Sequence, residues 1–308
     1  MKSLLFTVFT PTYNRAHVLH RVYDSLCQQT FRNFEWLIID DGSTDNTSHL
    51  IKNWHREANF PIRYIWQKNS HKKTAFNRGV REAHGEFFLP ADSDDYFKPN
   101  ALERLAYHWF TIPENERKYF AGICGLCSNE LGEVVGDKFP ASCKWGVDSN
   151  SLEIRYLYKI RGEKWGFSRT DILRKYPFPD HLPGHVPENV IWTPIALKYK
   201  TRFINEILRI YYQDAGNQLT LTGNPKHDAA GNLYWKSNVL SHELTYFKYK
   251  PIHFLLEAAR WTRFRLHLKR GMYKGTNFWP TSTMGIFLII LSAPLGFIWW
   301  MLDCYRIR

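Results

Sequence analysis

Over its first hundred residues the chain alternates short β-prone runs with helix-length amphipathic stretches, and no other feature restricts its fold so strongly. Residues 4–10, 34–39 (FEWLII), 62–66 and 86–89 read as strands. Residues 15–29, 44–57 and 73–83 read as helices, with Val18, Val22 and Leu26 on one face of the first. Ser43 or Thr44 is placed to cap the second helix, Gly85 follows the third, and Pro99 opens a fourth. Strand and helix repeated in this order predict an α/β fold: a Rossmann-like, mainly parallel central sheet flanked by helices. A chain of 308 residues holds two modest domains, or one large α/β domain with an appendage.

Open parallel sheets bind ligands beyond the carboxyl ends of their strands. Three polar clusters lie at such ends: Pro11-Thr12-Tyr13-Asn14, Asp40-Asp41 and Asp92-Ser93-Asp94. Turn-forming chemistry accounts for one cluster of this kind. It accounts less well for Asp40, Asp41, Asp45, Glu86, Asp92, Asp94 and Asp95 crowding together in a chain of net charge +12. In extended backbone, residues i and i+2 point to one side, so Asp92 and Asp94 converge while Ser93 faces away. Two such carboxylates repel one another, and a hard divalent cation, Mn2+ or Mg2+, is their natural partner.

The 41 basic residues draw the chain to polyanions, whether nucleic acid, anionic headgroups or diphosphates. Hydrophobic residues at 44% and charged residues at 23% exclude wholesale disorder. The five cysteines do not form a disulfide scaffold and suit a reducing compartment. Cys124 and Cys127 form a CxxC with Cys143 nearby, but a zinc knuckle wants a fourth ligand, so small buried thiols are the favoured reading.

TPTYNR (10–15), QTF (29–31), LIIDDGSTD (37–45), FNRGVREAHGEFFLPADSDD (76–95) and Pro99 stand together in an order and spacing that resemble a family 2 glycosyltransferase of the GT-A fold. The resemblance is specific over residues 4–110. It continues more loosely through RGEKWGFSRTDIL (161–173), YPFP (176–179), VPENVIW (186–192) and RFINEILRIYY (202–212), as in bacterial polysaccharide and lipopolysaccharide members. It implies inverting transfer of a sugar from a nucleotide-diphosphate donor, UDP-linked by preference, to a glycan or lipid-linked hydroxyl. It implies that Tyr13 lies against the base, that Pro11 shapes the loop, and that Asp41 accepts from a base N–H while Asp40 orients the turn, or the reverse. Lys72 stands where many members carry Gly-Gly-Lys; here Ser70-His71 replaces the glycines and Lys73 duplicates the charge, so either lysine is a candidate to meet the diphosphate, with Arg78 next. Asp92 is expected on ribose or metal and Asp94 on the metal. Asp95 has two readings, a site residue or a helix-entry cap.

An in-line displacement needs a general base beside the acceptor hydroxyl. Glu188, in HVPENVIW at a predicted helix start, is the candidate, with Asp171 and Asp180 as runners-up. Many family members carry an acidic pair here, whereas this chain has Glu188-Asn189. Trp165 and Trp192 are candidates to stack on an acceptor sugar or to fill the core. The Gln-x-x-Arg-Trp signature of processive synthases is absent, which predicts addition of one sugar per encounter.

The tail departs from this pattern. Met284–Leu302 is a mostly apolar stretch of 19 residues with Trp299 and Trp300 near its end, interrupted by Pro294 and Gly296, with basic residues on both sides. The length allows a span, but basic residues on both flanks favour a stretch that dips in and returns, or lies in the interface. Residues 248–274 hold eight Lys/Arg against Glu257 alone, interleaved with Phe254, Leu255, Trp261, Phe264 and Leu268, and read as a basic amphipathic helix on anionic lipid, with a buried C-terminal helix packed on the catalytic domain as the second reading. The expected divisions are a nucleotide-sugar half (1–110), an acceptor half (111–213), a linker or flexible loop (214–232) and a membrane-associating C-terminal region (233–308) at the cytoplasmic face of the membrane. Two rivals carry weight: a nucleotidyltransferase, and a non-catalytic module binding nucleic acid or membrane. Nucleic acid is disfavoured as a partner because the basic residues gather beside the tail and no recognition motif is present.

Overall fold

The computed structural model describes residues 4–142, 145–212, 224–268 and 276–306. Two compact units divide the chain: residues 1–177 with 194–216, and residues 178–193 with 217–308.

In the first unit, β1 (Phe6–Thr12), β2 (Phe34–Asp40), β3 (Ile62–Trp66) and β4 (Phe87–Pro90) alternate with α1 (His20–Cys27), α2 (Thr47–Glu57) and α3 (Lys72–Glu82). All pairings among these strands are parallel, with β1 between β2 and β4. The chain then forms β5 (Tyr96–Phe97), α4 (Ala101–Phe110), β6 (Phe120–Ser128), β7 (Gly146–Ser149), α5 (Ser151–Tyr156), β8 (Lys164–Arg169), α6 (Thr170–Leu173) and β9 (Lys200–Ile210). The strand order is β3-β2-β1-β4-β8-β6-β9-β5, with β7 also on β9. This second half of the sheet is mixed: β8 is antiparallel to β4 and to β6, whereas β6 and β9 are parallel. Residues 111–213 thus extend the sheet that residues 1–110 begin.

β1 and β2 each have a strand on both sides, and every residue of Phe34–Asp40 is buried. Phe6, Phe87 and Phe167 pack ring to ring across β1, β4 and β8, with centroids 5.4 Å apart for Phe6–Phe87 and 4.3 Å for Phe87–Phe167. Gly85 lets the chain pass close to β1: a Cβ there would fall 2.3 Å from the Thr7 backbone nitrogen. The cap expected at Ser43 or Thr44 is not made. The helix starts later, after Asn46, because Asp45 accepts from the Thr47 amide at 3.1 Å and shapes the turn before it.

Trp165 is core. It is 5% exposed, stacks on Phe97 at 4.6 Å and donates to the Pro90 carbonyl at 2.7 Å. Its hydrophobic payload and its single donor are both satisfied inside the sheet. Cys124 and Cys127 lie on β6, and burial pushes both thiols up, that of Cys124 to about 12, as small buried side chains would be.

A charged cluster ties β9 to α4. Burial raises the Glu206 carboxyl, but Arg104 (2.7 and 2.6 Å) and His108 (2.6 Å) more than offset this and hold it at about 2, below its ordinary 4.5. A carboxylate lowered by folding adds stability above its unfolded pKa and loses it as pH falls through the folded value. Glu206→Gln is therefore expected to cost about 1–3 kcal/mol at pH 7. Denaturant melts of both proteins should converge as pH falls from about 5 towards 2.

The second unit contains α8 (Ala229–His242), a 3-10 segment (Leu244–Tyr249), α9 (Pro251–His267) and α10 (Thr283–Arg306). The remaining helix, α7 (Asn189–Ala196), begins in this unit and ends in the first. Of the expected linker, residues 214–223 lie outside the described residues, and Ala229–Asn232 form the first turn of α8. Lys269, Arg270 and Lys274 also lie outside them. The amphipathic reading of residues 248–274 needs correction. Phe254, Trp261 and Phe264 are buried, at 0%, 3% and 8% exposure, because α9 turns its apolar face onto α8 and α10. Its Glu257 is buried with Lys236 and Arg260 paired to it. The exposed apolar surface belongs instead to α10, one continuous helix through Pro294 rather than a segment that turns back.

Candidate active site

Where β1 has β2 on one side and β4 on the other, the connections leave in opposite directions and open a crevice at the strand ends. The three polar clusters lie at the ends of β1, β2 and β4. Pro11 is the last residue but one of β1, in register with Ile39, and Tyr13 follows the strand, 49% exposed. Asn14 stitches this loop to the end of β2: it adopts φ 53, its Oδ1 accepts the Thr44 amide at 2.8 Å, and its amide donates to Ser43 Oγ at 2.9 Å. An Asn in a left-handed turn explains why the loop bends so sharply.

Asp40 and Asp41 divide their work. Asp40 is fully buried and accepts from the Ser43 amide at 2.8 Å and the Tyr64 hydroxyl at 2.6 Å, so it orients the turn. Asp41 accepts from Gln67 Nε2 at 2.7 Å and the Ser70 amide at 2.9 Å, both through Oδ1. Arg78 donates to Gln67 Oε1 at 3.4 Å.

The loop into α3 holds His71 at φ 73, a left-handed conformation that costs a β-carbon residue about 1–2 kcal/mol and suits glycine. The two lysines that follow differ. Lys73 is 6% exposed, while Lys72 reaches out and places Nζ 2.8 Å from Asp92 Oδ1.

Beyond β4, Asp92, Ser93, Asp94 and Asp95 form a turn closed by the Asp95 amide on the Asp92 carbonyl at 3.0 Å. Burial alternates along it: Asp92 and Asp94 are partly exposed, Ser93 and Asp95 buried. Both residues that keep some exposure carry carboxylates, and the backbone between them is a turn rather than an extended run. Desolvation raises Asp92, yet the ammonium of Lys72, with Arg209 and Arg15, keeps it below its ordinary value. Desolvation pushes Asp95 up to about 7, with Asp92 and Asp94 adding and Arg209 opposing.

Asp95 caps no helix. Its Oδ2 accepts the Asp92 amide at 2.9 Å and Arg209 Nη1 at 3.1 Å, and α4 starts only at Ala101. Arg209 is 6% exposed and its Nη2 reaches Glu163 at 3.2 Å. The register that pairs Phe97 with Arg209 brings this guanidinium under the turn. Nothing in the local pattern of β9 announces it; only the pairing of strands more than a hundred residues apart does. Arg209→Met is expected to leave Asp95 buried without its cation and to cost about 3–5 kcal/mol. Arg209→Met with Asp95→Asn should recover part of that loss in denaturant melts.

Asp92 and Asp94 offer hard oxygen donors, and Lys72 already supplies a positive charge at Asp92. Among the described residues no group of three His, Cys, Asp or Glu stands ready to hold a metal. A cation of the Mn2+ or Mg2+ class fits such a place, because it takes one or two carboxylates and completes its shell with phosphate oxygens and water.

Glu188 belongs to the second unit, exposed, one residue before α7. Its carbonyl accepts the Ile191 amide at 3.0 Å, and its Oε2 lies 3.4 Å from Trp192 Nε1. Of the runners-up, Asp171 is engaged by Arg169 at 2.8 Å on α6, and Asp180 is exposed on a loop.

The family profile described as Glycosyl transferase family 2 matches residues 7–115. Glycosyltransferase GlyG of Streptococcus pneumoniae is 35% identical over 232 residues, 70% of this chain and 73% of that protein. The chain belongs to glycosyltransferase family 2. A Campylobacter jejuni protein named GalNAc(5)-diNAcBac-PP-undecaprenol beta-1,3-glucosyltransferase is 26% identical over 67% of this chain and 63% of its own length. The chain spans 31% and 15% of the length of two other curated glycosyltransferases that match it. Among solved structures, S. aureus TarS 1-349 in complex with UDP-GlcNAc superposes with TM-score 0.56 at 20% identity, covering 94% of this chain and 79% of that one. The mannosyltransferase PcManGT from Pyrobaculum calidifontis, in complex with GDP-Man and Mn2+, gives 0.57 at 16% identity, covering 98% and 84%. These likenesses show the GT-A fold.

Proposed function

We propose that this family 2 enzyme moves a sugar from a UDP-linked donor to a hydroxyl of a glycan or lipid-linked acceptor, with inversion. The reading rests on one observation above others. The two partly exposed carboxylates, Asp92 and Asp94, stand just past the carboxyl end of β4, with the Lys72 ammonium already 2.8 Å from Asp92. The donors named in the titles of the structural neighbours, and the Mn2+ in one of them, support it.

In this reading residues 1–110 hold the donor and residues 111–213 face the acceptor. Tyr13 lies on the base, Pro11 shapes the loop beneath it, and Asp41 accepts from a base N–H. Lys72 turns from Asp92 to the diphosphate, at the start of α3 where the helix dipole favours negative charge. Asp92 and Asp94 then hold Mn2+ or Mg2+, which would stabilise charge on the departing diphosphate. Glu188 takes the acceptor proton as the hydroxyl oxygen attacks the anomeric carbon; the bond from that carbon to the diphosphate breaks, and nucleoside diphosphate leaves. The lipid-linked substrate in the name of the Campylobacter relative, together with α10, supports attachment to the cytoplasmic face of a membrane.

A panel of nucleotide-sugars assayed with and without Mn2+ tests the proposal. Release of nucleoside diphosphate from one or a few of them, dependent on the metal, is expected. Release of pyrophosphate would instead mark a nucleotidyltransferase.

A further inference from the structure

The α10 helix has a sharply two-sided surface. Phe287, Ile290, Leu291, Ile298, Met301 and Leu302 are exposed by 44–68%. At ~100° per residue they share one face of the helix. The opposite face is closed along its length. A Cβ at Gly285 would fall 2.5 Å from the Leu240 carbonyl oxygen of α8, and one at Gly296 would fall 2.3 Å from that of Ala259 on α9. Leu288 and Ile289 are buried between these points. Near the far end Asp303, 6% exposed, accepts from Arg263 Nε at 2.6 Å and lies 2.9 Å from His267 Nε2.

The apolar stretch Thr283–Tyr305 runs 23 residues; its most apolar 18-residue window has mean hydropathy 2.1 and is 28% buried. A core helix would be covered on most sides; this one leaves large apolar side chains exposed from Phe287 to Leu302. At about 36 Å the helix is long enough to cross a hydrocarbon layer of about 30 Å. Its packing opposes that. From Gly285 to Asp303 it is fastened to α8 and α9, and α9 carries Glu257, Arg260, Arg263 and Arg265. If α10 crossed, those charges would follow it to the middle of the bilayer, where charged side chains are strongly disfavoured.

We infer that α10 lies flat in the headgroup–acyl boundary of one leaflet, presenting the Phe287–Leu302 face to lipid while α8 and α9 cover its other side. The inference rests on the membrane attachment proposed above and fixes its form. The occupant is a lipid surface because the face is apolar from end to end, and the one acid of the helix, Asp303, is turned inward and paired. Phe287 and Phe297 on the exposed side, and the half-buried Trp299 and Trp300, suit that boundary.

The test uses the full chain with vesicles of phosphatidylethanolamine and phosphatidylglycerol. The wild type should co-sediment with them, and binding should persist in high salt because the contact is apolar. Ile290→Glu with Ile298→Glu should shift most of the protein to the supernatant without changing its melting temperature or its nucleotide-sugar turnover. In membrane vesicles of defined sidedness, an impermeant maleimide read by peptide mass should reach Thr281→Cys and the native Cys304 from the same side. Labelling from opposite sides would overturn the inference in favour of a span. A wild type that ignores lipid, or that hides the face in a soluble dimer, would overturn it as well. Turnover measured on the same preparations separates either failure from a failure of the catalytic reading.

Discussion

Asp94→Ala should abolish sugar transfer while leaving the fold intact. The side chain is partly exposed on a turn whose shape is set by Asp95, the backbone and the buried Arg209. Removing it therefore takes away little packing. What it removes is one of the two partly exposed carboxylates just past the carboxyl end of β4. A Lewis acid on a departing diphosphate supplies several kcal/mol, and a loss of about 4 kcal/mol is roughly a thousandfold in rate. Turnover should fall by about that factor or more, with an unchanged melting temperature. Turnover near that of the wild type would refute the assignment of Asp94 as a metal ligand.

Glu188→Gln should lower kcat by about 10²–10⁴-fold, the contribution of a positioned general base, and leave donor affinity close to wild type. The substitution keeps size and polarity at the start of α7, and its backbone bonds to Ile191 and Trp192 remain. The split is the diagnostic: a base acts on the acceptor proton, so donor binding and kcat should part company. A variant that keeps kcat within a few-fold would place the base elsewhere, with Asp180 and Asp171 the residues to test next.

Strand and helix signals in the first hundred residues were legible because each lies in a short window: period, cap residues and breakers are local. The bounds agree to within a few residues for β2, β3, α2 and α3. The acidic run was legible for the same reason; that it folds as a turn, closed by the Asp95 amide on the Asp92 carbonyl, was not, because the expectation assumed extended backbone. Pairings across long separations were not. Arg209 becomes the partner of Asp95 only when β9 crosses the sheet to β5, and Asn14 becomes a staple only when the β1 and β2 loops meet. The tail misled for another reason. Basic and apolar residues interleave in α9 as they would in a lipid-binding helix, but the same interleaving serves a helix packed between two neighbours. Which apolar face stays in solvent depends on what else is there to cover it, and composition does not contain that.

The central claim is that the Asp92–Asp94 turn and Lys72 hold a divalent cation and a donor diphosphate together. Titrating Mn2+ into the protein with and without UDP, followed by electron paramagnetic resonance, tests it directly. Tight Mn2+ binding should require the nucleotide, since the chain offers two carboxylates and Lys72 competes for one of them, and it should vanish in Asp94→Ala. Equal Mn2+–UDP binding by Asp94→Ala and wild type would contradict it.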